Sequence, residues 1–239
     1  MALLDLVFPA RCAACAAPGG WPLCHACAGD VGVITSPWCE RCGRPWAAAV
    51  AECTDCPPPF VDRARAPFLY DGPVADAIKG MKFAGVHGLA RHLAAAMALI
   101  AADIEVDAIT WVPLSRRRRG RRGFDQAEIL VRALARHRPE PVRRLLVRTR
   151  DARSQARRSG SERREALQGA FGRAGRPAPE RVMLVDDVLT TGSTAAACAQ
   201  TLKAGGTRWV VLLTAARSLG GPVPGRCRAL APGGRPRVP

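Results

Sequence analysis

An apolar run that starts at Val182 ends in two adjacent carboxylates, Asp186 and Asp187, and a hydroxyl-rich loop follows: Thr190, Thr191, Gly192, Ser193 and Thr194. An apolar strand would deliver the acids to its C-terminal edge, where the ligands of open α/β sheets bind. The loop leads into a helical pattern, and the free amides of a helix N-terminus together with Thr and Ser hydroxyls make a phosphate cup. Acids beside such a cup point to a sugar phosphate, with hydroxyls or a Mg²⁺-bound diol at the acids and the phosphate in the loop. The magnesium-holding half of an NTPase would share the acids, but it needs GxxxxGK[ST], and the chain contains no Gly-Lys dipeptide. A plain strand and capped helix would not call for two acids and five polar loop residues.

Eight of the ten cysteines form four pairs of one spacing: Cys12/Cys15, Cys24/Cys27, Cys39/Cys42 and Cys53/Cys56. A C-x-x-C turn aims two thiolates at one ion, and two such turns complete a tetrahedral zinc site. Gly43, directly after Cys42, helps backbone amides turn toward the sulfurs. Four pairs therefore imply two structural Zn²⁺, whose binding supplies folding free energy to a segment rich in Gly, Pro and short loops. A disulfide framework belongs to secreted chains, and the first ten residues lack a cationic start and carry Asp5 within their apolar stretch, which is not the pattern of a secretory signal. A redox site would need one pair only. The pairs can be joined as neighbours, interleaved or nested, and their identical spacing does not choose. Cys198 and Cys227 stand alone and receive no role, nor do His25, His87, His92 and His137.

The elements that must position these groups follow from periodicity. Helical spacing covers Val74 to Phe83, with Val74, Ile78 and Met81 on one side, then Leu89 to Ala101, and then Gln126 to Arg136, with Ile129, Leu130, Ala133 and Leu134 inward. Short buried strands are expected at Ala108 to Val112, Arg181 to Val185 and Trp209 to Thr214, with a helix from about Ala195 to Ala204 ended by Gly205 and Gly206. Strands alternating with helices imply a mostly parallel sheet covered on both faces. Pro57-Pro58-Pro59 reads as a stiff linker between a cysteine module and that sheet. From residue 221 to 239, nine residues are Gly or Pro and four are Arg, a composition that predicts a disordered tail. The expected division is 1–59, 60–220 and 221–239.

With 239 residues, 48% of them apolar and 23% charged, the chain has room for one mid-sized core plus a small module. Its longest apolar run, Leu93 to Ala102, is too short to span a membrane, so no membrane insertion and a cytoplasmic location are expected. Of the net charge of +16, residues 111–176 carry +14, whereas residues 1–60 carry −2. Such a block suits polyanions, either a small phosphate ligand or a nucleic-acid backbone. The ratio of 33 Arg to 3 Lys also fits GC-rich coding, and aromatics at 5% argue against a dedicated single-strand groove.

The acid pair and its loop resemble the 5-phosphoribosyl-1-pyrophosphate (PRPP) motif of type I phosphoribosyltransferases. From about residue 1 to 218 the chain is similar to the ComF family, bacterial proteins linked to DNA uptake in natural transformation. The resemblance rests on the paired cysteines, Lys82 in IKGMKF, VPLSRRRRGRRGFDQAE at 112–128, Arg148 to Gln155, Arg163 to Phe171 and the loop after Asp187. Ser115 and Asp125 stand where members usually carry His and Asn, and Ala152 and Ala166 where Thr and Asn are common.

The resemblance implies a phosphoribosyltransferase-like parallel sheet flanked by helices and preceded by a double zinc-ribbon module. It assigns Asp186 and Asp187 to the ribose hydroxyls and Thr190 to Thr194 to the 5-phosphate. Pro113, Leu114 and Ser115 become the pyrophosphate loop, with Lys82 and the arginines of 116–122, Arg122 first among them, as cations. Arg117 to Arg119 read individually as surface charge. Mg²⁺ with PRPP, single-stranded DNA, competence proteins and a homodimer partner are the companions it suggests. A phosphoribosyltransferase of unknown acceptor stands beside the alternative of a non-catalytic nucleic-acid-binding accessory that keeps the fold for regulation.

Overall fold

Strands and helices alternate from residue 63 onward in the computed structural model, which describes residues 10–45, 53, 56, 60–83, 85–149, 169–175 and 177–219. A short helix α1 (His25–Gly29) lies in the cysteine-rich part. Then come β1 (Arg63–Arg65), β2 (Phe68–Leu69), α2 (Gly72–Phe83), α3 (Leu89–Ile100), β3 (Ala108–Trp111), α4 (Arg116–Arg122) and α5 (Gln126–Leu134). The chain continues through β4 (Leu146–Arg148), β5 (Phe171–Arg173), β6 (Arg181–Leu189), α6 (Ser193–Lys203) and β7 (Trp209–Arg217). Residues 57–59, 150–168 and 221–239 lie outside the described residues.

The sheet runs β1-β7-β6-β3, with β2 also on β7, and every pairing in it is parallel. Along β6 and β7 the apolar residues alternate between two cores, as a strand's period of two requires. Met183, Val185, Val211 and Leu213 face α2, α3 and α5, where Ile78, Met81, Met97 and Leu130 are fully buried. Val182, Leu184, Val210 and Leu212 face α6, packing on Ala199 and Leu202 and on Leu146 of the β4–β5 hairpin. Both faces are therefore dry, which is why these strands read as continuous apolar runs.

Three expectations are corrected. The strands at 181 and 209 run on to Leu189 and Arg217, because the small residues Ala215 and Ala216 continue the ladder: Asp186 lies opposite Thr214 and Leu189 opposite Arg217. On the other side the ladder stops where Trp111 meets Val185, so the carboxylates lie beyond the end of β3 but inside the pairing with β7. The buried face of α5 is made by Ala127, Leu130, Val131 and Leu134, while Ile129 and Ala133 sit at its flank. Helix α6 starts at Ser193, two residues earlier than expected. Among the described residues no helix is long and apolar enough to cross a membrane.

Candidate functional site

The four cysteine pairs join as neighbours. Cys12, Cys15, Cys24 and Cys27 form one group, and Cys39, Cys42, Cys53 and Cys56 another, with the sulfurs of each group within 4.8 Å of one another. All eight are free thiols. In the first group Cys15 and Cys24 Sγ approach to 3.7 Å, and in the second Cys42 and Cys53 Sγ approach to 3.4 Å. Four thiols in contact cannot all ionise alone. Burial works against the Cys12 thiolate, yet the amides of Cys15, Cys24 and Ala14 lower its pKa to about 6, whereas burial and its three neighbours push Cys27 far up. Cys39 follows Cys12 at about 7, and Cys42 follows Cys27. A divalent cation removes that conflict by deprotonating every ligand, so both tetrads fit structural zinc.

Each knuckle leans on the sheet body. Ala13, Ala14, Trp21 and Leu23 pack on the core beside α2 and α3. The second knuckle is tied to β1: the Ala64 amide donates to the Arg41 carbonyl at 2.7 Å, and buried Arg65 donates to the Glu40 carbonyl at 2.8 Å and its carboxylate at 2.6 Å. Gly43, at φ +68°, lies so close that a Cβ there would meet the Ala64 carbonyl oxygen at 2.7 Å. The glycine's role thus extends beyond turning amides toward sulfur.

The acid pair is divided by the strand that carries it. Adjacent strand residues point to opposite faces, so Asp187 turns toward α2 and Asp186 toward α6. Lys82, in the last turn of α2, meets Asp187 Oδ2 with Nζ at 2.8 Å, and both side chains are more than four-fifths buried. Asp186 Oδ1 accepts the Asp187 amide at 2.8 Å. Burial, followed by the charge of Asp187, raises the Asp186 pKa to about 8, against the opposing pull of that amide and of Lys82. Cys198 of α6 faces the same carboxyl, and burial together with the Asp186 charge raises its thiol pKa. The loop beyond turns at Gly192, φ 72°, into α6, and Thr191 Oγ1 and Ser193 Oγ lie 3.0 Å apart at the helix start.

Opposite this loop, at the end of β3, Pro113, Leu114 and Ser115 turn into α4. Ser115 caps that helix, its hydroxyl accepting the Arg118 amide at 3.3 Å. Asp125 fixes the turn: Oδ2 accepts the Leu114 amide at 2.8 Å while Oδ1 accepts those of Ala127 and Glu128 and caps α5. Burial raises the Asp125 pKa and these amides oppose it. Three donors converge on the group, so a carboxylate suits this position. The spacing Asp125-x-x-Glu128 is an N-cap signal from which the capping of α5 could have been read, though not the bond to Leu114.

Arg122 is half-buried; its Nη1 donates to Gln126 Oε1 at 3.0 Å and its guanidinium lies 4.8 Å over the Phe83 ring, next to Lys82. Arg117, Arg118, Arg119 and Arg121 are exposed, and Arg119 pairs with Glu128. A cavity of about 450 Å³ opens beside the 113–115 turn, with Arg119, Arg132, Arg144 and Arg148 in its wall. Arg148, on β4, also stacks on Phe171 at 5.1 Å. Ala152, Gln155, Arg163 and Ala166 lie outside the described residues.

Residues 3–57 match the double zinc ribbon domain. Over 229 residues, 90% of this chain and the whole of the relative, the chain is 32% identical to the DNA utilization protein YhgH of Escherichia coli O157:H7. Over 185 residues, 72% of this chain and 80% of the relative, it is 31% identical to Competence protein F of Haemophilus influenzae. The chain belongs to the competence protein F family. Among solved structures it is similar to the glutamine PRPP amidotransferase from B. subtilis complexed with ADP and GMP, at 22% identity and a TM-score of 0.39. That likeness covers 53% of this chain and spans about a quarter, 26%, of the enzyme. Within the competence protein F family, this chain thus carries its two cysteine tetrads on a parallel α/β body.

Proposed function

We propose that the protein binds PRPP with Mg²⁺ and acts in phosphoribosyl transfer in support of DNA uptake and nucleotide handling in the cytoplasm. The observation that carries this reading is the meeting of Lys82, Asp187 and Asp186 between the α6 N-terminus and the 113–115 turn. The amides and hydroxyls of Thr190 to Thr194 take the 5-phosphate. Asp186 and Asp187 take the ribose hydroxyls or the Mg²⁺, an oxygen-seeking cation suited to carboxylates. Pro113, Leu114 and Ser115 line the pyrophosphate, and Lys82 and Arg122 face it with positive charge. When pyrophosphate leaves, charge builds on its oxygens, and cations held near them lower the barrier; bound Mg²⁺ would supply the same stabilisation. In the free protein Asp187 keeps Lys82 in place until an anion competes for it.

The test is PRPP binding by calorimetry with Mg²⁺ present. Replacing Asp186 and Asp187 together with Asn keeps their size and removes charge. A hydrogen bond to a charged group contributes about 1.5–3 kcal/mol, so affinity should fall at least tenfold. A double variant that binds as tightly as the parent ends this reading. A second reading, nucleic-acid binding without turnover, is favoured by the exposed Arg117, Arg118 and Arg121 on α4. It predicts single-stranded DNA affinity that falls steeply with salt and is unaffected by the double substitution.

A further inference from the structure

Arg217 joins the second cysteine knuckle to the start of the 190–194 loop. The residue is 97% buried, and its Nη1 donates to the carbonyl oxygen of Cys42 at 2.7 Å across 175 residues of sequence. Arg217 is the last residue of β7 and lies opposite Leu189, the last residue of β6. The next amide, of Ser218, donates to the Leu189 carbonyl at 2.8 Å, and the Arg217 carbonyl accepts the Tyr70 amide at 2.7 Å. Thr190 follows Leu189 directly, so the loop springs from this closure. On the other side, the knuckle that offers the Cys42 carbonyl is fixed by whatever holds Cys39 and Cys42, and it is docked on β1 through Glu40 and Arg41. A buried guanidinium has five donors and no acceptor, so it is held where carbonyls are held and is costly to leave unpaired.

We infer that Arg217 is a positioning residue that couples zinc occupancy of the Cys39/Cys42/Cys53/Cys56 site to the geometry of the 190–194 loop. Metal in the tetrad fixes the Cys42 carbonyl, the carbonyl fixes Arg217, and Arg217 fixes the last rung of the β6–β7 ladder. An anion bound in the loop and zinc bound in the tetrad then favour each other, and linkage requires the two effects to be equal in free energy. The first tetrad, which packs beside α2, has no part in this path. The ligand half of the inference rests on the PRPP reading above; the backbone half does not.

Hydrogen exchange on the full zinc-loaded chain tests the backbone half. Arg217→Met removes the donors while keeping an apolar stem. Peptides covering 187–194 should exchange about tenfold faster than in the parent, while peptides covering α3 stay unchanged. Unchanged exchange at 187–194 in a folded variant with two zinc ions overturns the inference, and so does an equal rise in every peptide, which would mark plain destabilisation. Should Arg217→Met fail to fold, Arg217→Lys carries the test, because it keeps the charge and loses the planar donors. At least threefold faster exchange at 187–194 supports the coupling, and parent-like exchange overturns it. For the ligand half, zinc is titrated out with a chelator with and without PRPP and Mg²⁺. The parent should hold its second zinc about fivefold more tightly with PRPP, and Arg217→Met should lose that gain. A parent that binds PRPP but shows no gain overturns the ligand half alone, whereas a parent that does not bind PRPP overturns the proposed function and leaves the exchange result to decide Arg217.

Discussion

In each cysteine tetrad four thiols are gathered within 4.8 Å and compete for ionisation, whereas at the acid pair the chain brings its own cation, Lys82, to 2.8 Å from Asp187. Both places crowd groups of one sign, and they differ in where the compensating charge comes from. The tetrads need a tightly held ion from outside the chain, which suits a structural role. The acids hold a lysine of the chain itself, which suits the anion-binding role proposed for this site. The compensating charge is thus supplied from outside at the rim of the body and by the chain itself at its centre.

The strongest way to break that comparison is to count and remove metal. Purified protein should contain about two zinc ions per chain, and stripping them should unfold the described knuckles of residues 10–45. Structural zinc in small domains accounts for about 10–16 kcal/mol of apparent binding energy. Cys39→Ser should have the same local effect on the second site while the sheet body keeps its circular dichroism. Zinc near zero with the eight cysteines in disulfides would remove the contrast altogether. The next effect is on the acids. Asp187→Asn strands a mostly buried Lys82, and breaking a buried pair from one side costs about 3 kcal/mol. Urea unfolding should show that loss, and Lys82→Met in the same background should recover much of it, because no charge is then left unpaired. Equal stability of Asp187→Asn and the parent would mean that the lysine was never held by this acid.

How much of this was legible beforehand varies by residue. The spacing of the cysteines is a local property and announced two zinc sites; which pairs join is set by the path between them, and four identical spacings carry no information about it. The chemistry proposed for Asp186, Asp187 and Thr190 to Thr194 rests on their types and order. Their division between two faces was not, because it depends on how far β7 continues, and Ala215 and Ala216 extend the ladder past the acids. On α5 both Ile129/Ala133 and Ala127/Val131 are apolar, so only packing against β3 and α3 selects the buried side. The Asp125 clamp was hidden because its partner amide, of Leu114, lies eleven residues away. Arg217 gave no signal, since its acceptor belongs to a knuckle at the other end of the chain.

The smallest effect sharpens the comparison from within the acid pair, and it is the pH response of Asp186. Asp186 has a pKa of about 8 in the folded protein, with burial the first cause and Asp187 the second; an unfolded aspartate titrates near 3.9. Below about pH 4 both states hold the proton and the group has no influence on stability. Between about pH 4 and pH 8 the unfolded chain sheds the proton while the folded chain keeps it, so this group's contribution falls as pH rises and levels off above the folded value. Asp186→Asn is neutral throughout and escapes the fall. Its melting temperature should therefore match the parent near about pH 4 and exceed it near about pH 8.5, with each kcal/mol worth about 2–4 °C in a chain of this size. A gain for Asp186→Asn that does not grow with pH would mean that its carboxyl is ionised in the folded state and that burial does not hold its proton.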